Sequence, residues 1–298
     1  MNHTQVQSRP VLETPPPEPR LGLGPVGIAV RAVVAVGVLF GANFLVAGLF
    51  ALLMAVPGLE GSLTENPLAA TVASVLLHAC VLTVTVVAVR TWMRLVERRD
   101  LRDAGWRWTR HSAGWLLLAI LVAGGLVVAA IAVLPATGPV STEADVNSAS
   151  ILAFGLIGIV SQAFLLQAIP EELLYRGWLL STMRTRPVLA IAVTTLTFTV
   201  IHLASNGGQT SFAEQLIYLA LPFGFSLLAV GMQLWTGSLW AAIGVHGGFH
   251  LGNTAAMLLL PQVDPVRSWI VIGALHSIVG TVLIVTALRR GRHVGPGR

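Results

Sequence analysis

Eight long apolar runs, at roughly 26–56, 68–89, 113–134, 152–180, 188–205, 216–234, 238–260 and 268–288, set the fold class, because each is close to the 20 or so residues that a helix needs to cross a bilayer. Hydrocarbon offers no partner to a backbone N–H or C=O, so segments of this kind cross as helices that satisfy their own hydrogen bonds. The expected architecture is all-α: a polytopic membrane helix bundle over 26–290, with about eight transmembrane helices. The charge content agrees, since only 10% of residues are charged, against about 25% in a soluble domain.

The formal net charge of +5 is carried entirely by arginine: all 18 basic residues are Arg and none is Lys. In a soluble chain this excess would suggest nucleic acid. Here its placement reports topology instead. The stretch Arg90–Arg110 holds seven arginines, Arg184 and Arg186 lie between the fourth and fifth runs, and Arg289, Arg290 and Arg292 follow the eighth. The alternate loops are acidic or nearly neutral: Glu60 and Glu65, Glu143 and Asp145, Glu214, then Asp264 with Arg267. The positive-inside rule therefore predicts a multi-pass plasma-membrane protein with both termini cytoplasmic, the lipid bilayer as a partner and no nucleic acid. Trp92, Trp106, Trp108, Trp115, Trp178 and Trp235 fall near the arginine face, where an interfacial belt belongs. The stretch RPVLETPPPEPRLGLGP, Arg9–Pro25, predicts a disordered proline-rich cytoplasmic tail over 1–25, and 291–298 a second tail. A polar tail ahead of a run long enough to span predicts no cleavable signal peptide. Cys80, the single cysteine, reads as a small core residue with no intramolecular disulfide.

The fourth run breaks the pattern. QAIPEELLYRGWLLSTM, from Gln167 to Met183, places Glu171, Glu172 and Arg176 inside a membrane span. A charge at the centre of a span costs about 2.5–3.5 kcal/mol on insertion scales, so such groups mark sites. Glu172 and Arg176 are four apart and can pair on one helix face. Glu171 points about 100° away, and Pro170 bends the helix just before it. By itself this run also fits a structural ion pair beside one protonated glutamate. Glu171 lies 15 residues before Arg186 in the following turn, and His202 lies 16 after it. Both therefore sit roughly 22–24 Å along their helices from that turn. Phe198 is one turn before His202 on the same face. His246 and His250 share a face of the seventh run, about 14–20 Å beyond the Trp235–Gly237 turn, among Gly244, Gly247, Gly248 and Gly252 that let helices approach closely. Glu171, His202, His246 and His250 are expected to converge at one depth below the cytoplasmic surface. His78 and His276 read as structural, Arg31 as snorkelling to the interface, the Glu97–Asp103 charges as a solvated loop face, and Asn253 as a packing amide.

An acid and several imidazoles in a lipid-sheltered cavity suit general-base activation of water and stabilisation of an oxyanion. The chain has no HExxH zinc motif, its aspartates Asp100, Asp103, Asp145 and Asp264 fall in loops, and no GxSG is present, which leaves glutamate as the acid. EELLYR, FTVIH and HGGFH resemble, in order and spacing, the EExxxR, FxxxH and HxxxN/D motifs of the CPBP family, the CAAX proteases and bacteriocin-processing enzymes also called Abi. The resemblance covers a core at about 150–260 and implies an eight-helix intramembrane glutamic endopeptidase acting on a peptide or membrane-protein substrate without a metal cofactor. It implies that Glu171 activates water with His202, that His246 and His250 hold the oxyanion, and that Glu172, Arg176 and Phe198 are structural or orient substrate. His250 departs from the family pattern of Asn or Asp. The resulting His-x-x-x-His pair also fits a zinc-dependent variant, a catalytically silent scaffold or a bacteriocin-immunity protein. A transporter is the remaining alternative, although its polar groups would be expected along a path across the bilayer rather than at one depth.

Overall fold

A computed structural model describes residues 19–140 and 149–292. Most of the expected proline-rich tail, the loop acids Glu143 and Asp145, and residues 293–298 lie outside the described residues.

Helix α1 (Pro25–Met54) is followed by the short α2 (Leu59–Glu65) and by α3 (Pro67–Trp92), which continues as a π-helical turn, Met93–Glu97. A 3-10 turn, Leu101–Ala104, leads to α4 (Ser112–Ala132). The fourth span is composite: α5 (Ala149–Ser161), a π-helical segment Gln162–Ala168, α6 (Ile169–Glu172), a second π-helical segment Leu173–Leu179, and α7 (Leu180–Thr182). Then come α8 (Pro187–Ile201), α9 (Phe212–Tyr218), α10 (Ala220–Thr236), α11 (Leu239–Leu259) and α12 (Pro265–Arg289).

Local chemistry fixes these starts. Pro25, Pro67, Pro187 and Pro265 each open a helix, where the missing N–H costs nothing. Asn66 and Asp264 cap α3 and α12 by accepting from the Ala69 and Arg267 N–H groups.

Seven helices among the described residues are long and apolar enough to cross a membrane. The eighth expected span is α11, 21 residues long. Its histidines, glycines and Asn253 keep its hydropathy low, which fits its place inside the bundle, where Ala241 through Gly248 are buried. The structure is thus an all-α polytopic bundle, with one small addition that the apolar runs did not announce: β1 (Ala136–Val140) pairs antiparallel with β2 (Pro261–Val263), tying together the ends of α4 and α11.

Glycines set two close helix contacts. A Cβ on Gly248 would lie 2.6 Å from the Ile120 Cα, and one on Gly252 would lie 2.6 Å from the Gly124 Cα, so α11 packs backbone to backbone on α4. Gly224 and Gly231 of α10 meet Gly273 and Gly280 of α12 in the same way. Lipid tails are as apolar as leucine, so close van der Waals contact is the main cohesive term between such helices.

Four residues, Arg31, Glu97, Trp178 and Cys80, sit otherwise than their sequence context suggests. Arg31 does not snorkel: it is 0% exposed on the buried face of α1 and forms a two-point ion pair with Glu97, Nε to Oε1 at 2.7 Å and Nη2 to Oε2 at 2.9 Å. Glu97 is therefore no part of a solvated face, and it also accepts from the indole N–H groups of Trp92 and Trp178. The remaining Arg31 donors go to the Leu21, Gly22 and Gly27 carbonyls, and the Arg20 N–H bonds the Val96 carbonyl, so residues 20–22 are docked against the bundle. Trp178 is buried in the core, not in the interfacial belt. Cys80 is exposed on the outer face of α3 rather than in the core.

Candidate active site

Glu171 and Glu172 sit on α6, a single α-helical turn held between two π-helical segments. A π turn inserts an extra residue into the helical ladder, leaves backbone groups without their usual partner and recurs at functional sites. One carbonyl in the second π segment, that of Arg176, is met from outside by the Gln233 amide of α10 at 3.0 Å.

Glu172 and Arg176 are both 0% exposed and pair at 3.1 Å. Phe198 lies against the guanidinium, whose Cζ is 4.3 Å from the ring centroid. This ring face partly compensates Arg176 Nε and Nη2, which find no hydrogen-bond partner. Glu172 Oε1 has a second partner that helical spacing could not reveal: His246 Nδ1 at 3.0 Å. An ionised carboxylate only accepts, so His246 Nδ1 carries the hydrogen and its Nε2 is left for the cavity.

Glu171 takes no part in that cluster. Its Oε2 is buried with no hydrogen-bond partner. The residue lies in the wall of a cavity of about 350 Å³, which His202, Phe198, His246 and His250 also line. The structure therefore brings together Glu171 and the three histidines singled out in the sequence.

His202 opens the 3-10 turn that ends the fifth span. Its Nδ1 lies 2.7 Å from the Phe198 carbonyl, which can only accept, so its Nε2 is a free acceptor. Gln215 of α9 bonds the His202 and Leu203 carbonyls and fixes this turn. His250 stacks on His246, with ring centroids 5.2 Å apart, and makes no side-chain hydrogen bond to the described residues.

The remaining wall includes Gln167, Tyr218, Phe225 and Phe249. Gln167 is four residues before Glu171, so helical spacing alone could have found it, and its Oε1 is buried without a partner. Tyr218 and Phe225 had no such signal, because they reach the site only through the packing of α9 and α10.

The two histidines outside the site have local partners. His78 Nδ1 is 2.9 Å from Ser161 Oγ, and His276 bonds the Ile272 carbonyl. Asn253 bonds the Phe249 carbonyl. Among the described residues, no group of three or more His, Cys, Asp or Glu side chains could hold a metal ion.

The depth expectation changes. Ser205 and the exposed Asn206 line the same cavity, so it reaches the loop after His202, at the end of the bundle away from the arginine-rich turns. At roughly 22–24 Å along their helices from the Arg186 turn, Glu171 and His202 already lie past the middle of a hydrocarbon core about 30 Å thick.

This is an integral membrane protein of the all-α class, with a buried acid and three imidazoles around one internal cavity. Residues 150–252 match the Rce1-like family model, described as type II CAAX prenyl endopeptidase Rce1-like, and the CPBP resemblance of the motifs agrees with it over that segment. That family is one of proteases. No curated protein matches the chain.

Proposed function

We propose that this protein is an intramembrane endopeptidase, CAAX-prenyl-protease-like, which hydrolyses peptide bonds with a water activated by Glu171. The observation that carries this reading is the half-buried Glu171, whose Oε2 is buried without a partner in a cavity lined by His202, His246 and His250.

In the step it supports, the Glu171 carboxylate takes one proton from water while the other O–H, which stays intact, donates a hydrogen bond to the His202 Nε2. The water oxygen attacks the scissile carbonyl carbon, and the C=O electron pair moves onto oxygen. The oxyanion pair then re-forms C=O as the C–N bond breaks, and the proton held by Glu171 passes to the leaving nitrogen. His250 can donate to the oxyanion as a neutral imidazole. His246 already donates through Nδ1 to Glu172, so it donates into the cavity only as an imidazolium, with Glu172 as its counter-charge. Glu172 therefore orients His246 besides holding Arg176.

His250→Asn tests the departure from the family pattern. The amide still donates a hydrogen bond, so turnover of a CAAX-type peptide is expected to stay within about tenfold of the parent, equivalent to about 1.4 kcal/mol, and chelators are expected to leave it unchanged. Loss of activity on chelation, restored by zinc and joined to an inactive H250N variant, would instead identify a metalloprotease. A folded protein without activity, unrescued by H250N, would point to the silent scaffold or immunity reading.

We also propose that the arginine-rich loops are cytoplasmic at the plasma membrane. A reporter fused after Arg292 should then read cytoplasmic, and Thr210→Cys in a Cys80→Ser background should react with a membrane-impermeant thiol reagent from outside. Substrate would then approach from the outer half of the bilayer. Labelling of Thr210→Cys only after the membrane is opened would reverse that orientation.

A further inference from the structure

The arginine-rich segment after α3 builds a second cavity. The π-helical turn Met93–Glu97 ends at Arg98, which is held at φ 54°, in the left-handed region that non-glycine residues seldom adopt. The Arg99 N–H bonds back to the Met93 carbonyl at 2.9 Å. The Asp100 N–H then donates to the Asp103 carboxylate at 3.0 Å, and the Asp103 N–H to the Asp100 carbonyl, which starts the 3-10 turn. This reversal lays Leu101 and Arg102 beside the α3 face bearing Val86 and Arg90, with Arg94 in the π turn, and encloses about 590 Å³ with Trp106 at its edge.

Three arginines and one carboxylate line this space. Asp100 is 3.6 Å from Arg94, but both side chains are more than half exposed, so their pairing is weak. Arg90 and Arg102 make no ion pair among the described residues. The wall is cationic at one end and apolar at Val86 and Leu101. It lies where a transmembrane helix, Pro67–Glu97, meets the arginine face. The Trp106 ring lies tilted against Trp240 at 5.6 Å, and Trp108 meets Trp240 edge-on at 4.7 Å. Guanidinium groups match phosphate oxygens in geometry and charge, and basic pockets beside membrane helices suit acidic headgroups.

We propose that this cavity binds a phosphate group, that of an anionic glycerophospholipid, with its acyl chain along Val86 and its phosphate between Arg90, Arg94 and Arg102. The site is separate from the Glu171 cavity, and its test does not depend on peptidase activity.

The experiment uses the full chain in neutral detergent, titrated with phosphatidylglycerol, phosphatidylcholine or inorganic phosphate and read by native mass spectrometry. Phosphatidylglycerol should be retained at concentrations where phosphatidylcholine is not, and inorganic phosphate should compete only in large excess. Arg90→Gln with Arg102→Gln should weaken phosphatidylglycerol binding about 25-fold, roughly fivefold per arginine, without changing the lipid-free melting temperature. Arg289→Gln with Arg290→Gln, on the same face outside the cavity, should change it less than twofold. If the first pair fails to fold, Arg102→Gln alone reads the same site with about a fivefold loss. Equal retention of the two lipids, or an equal loss in the Arg289/Arg290 control, would overturn the proposal. Displacement by inorganic phosphate at lipid-like concentrations would overturn the lipid assignment in favour of a free anion.

Discussion

Glu171→Gln is expected to lower peptide hydrolysis by about 10²–10⁴-fold, the range lost with a positioned general base, while the protein folds as before. The two halves of that expectation have separate causes. The amide keeps the size and shape of the carboxyl but cannot take a proton from water at the required moment. Glu171 forms no ion pair among the described residues and its buried Oε2 has no partner, so no bond is lost when its charge goes. Removing an uncompensated buried carboxylate lifts a desolvation cost, and the melting temperature should stay level or rise. Glu172→Gln makes the contrast, because Arg176 and His246 both bond Glu172 Oε1; it should lower stability as well as turnover. Turnover of a prenylated CAAX-type peptide and thermal unfolding in detergent, measured side by side, separate the cases. Undiminished turnover in Glu171→Gln would end the glutamate-base reading.

The bundle was legible in the sequence because hydrophobicity over 20 residues is a direct physical requirement of the bilayer. Seven spans meet that requirement in the structure, and α11 shows its limit. A helix shielded by other helices can carry histidines and glycines that hydropathy counts against it. The convergence of Glu171, His202, His246 and His250 on one cavity was also legible, since antiparallel helices joined by short turns place residues equidistant from the turn side by side.

Three features were not legible, for identifiable reasons. The π-helical segments around Pro170–Glu172 shift side-chain directions by an extra residue, and an i, i+4 rule assumes regular α-helix. The His246–Glu172 bond joins residues 74 apart and depends on rotamers, not spacing. The Arg31–Glu97 pair spans 66 residues, and each partner has a plausible solvated reading when its own helix end is taken alone.

That pair carries the largest expected stability effect. Arg31→Met would leave the Glu97 carboxylate buried with only the Trp92 and Trp178 indoles as donors. Glu97→Gln would leave a buried guanidinium facing a neutral amide and the Leu21, Gly22 and Gly27 carbonyls. Breaking one partner of a buried ion pair costs about 3–5 kcal/mol, so each single variant should lose yield and unfold at a markedly lower temperature. Replacing both charges by Arg31→Met with Glu97→Leu is a different operation, because no uncompensated charge remains. Apolar replacement of a buried pair is often close to neutral, so the double variant should recover most of what either single variant loses. The double-mutant cycle should then show a coupling at least as large as one single loss, about 3–5 kcal/mol or more, above the usual range for residues in contact. Trp178 links this pair to the site, since it stands two residues after Arg176 in the same π-helical segment and donates to Glu97 at 3.3 Å. Loosening the pair should therefore reduce turnover along with stability, whereas Glu171→Gln reduces turnover alone. Additive single effects, with no recovery in the double variant, would show that Arg31 and Glu97 act through packing and not as an ion pair.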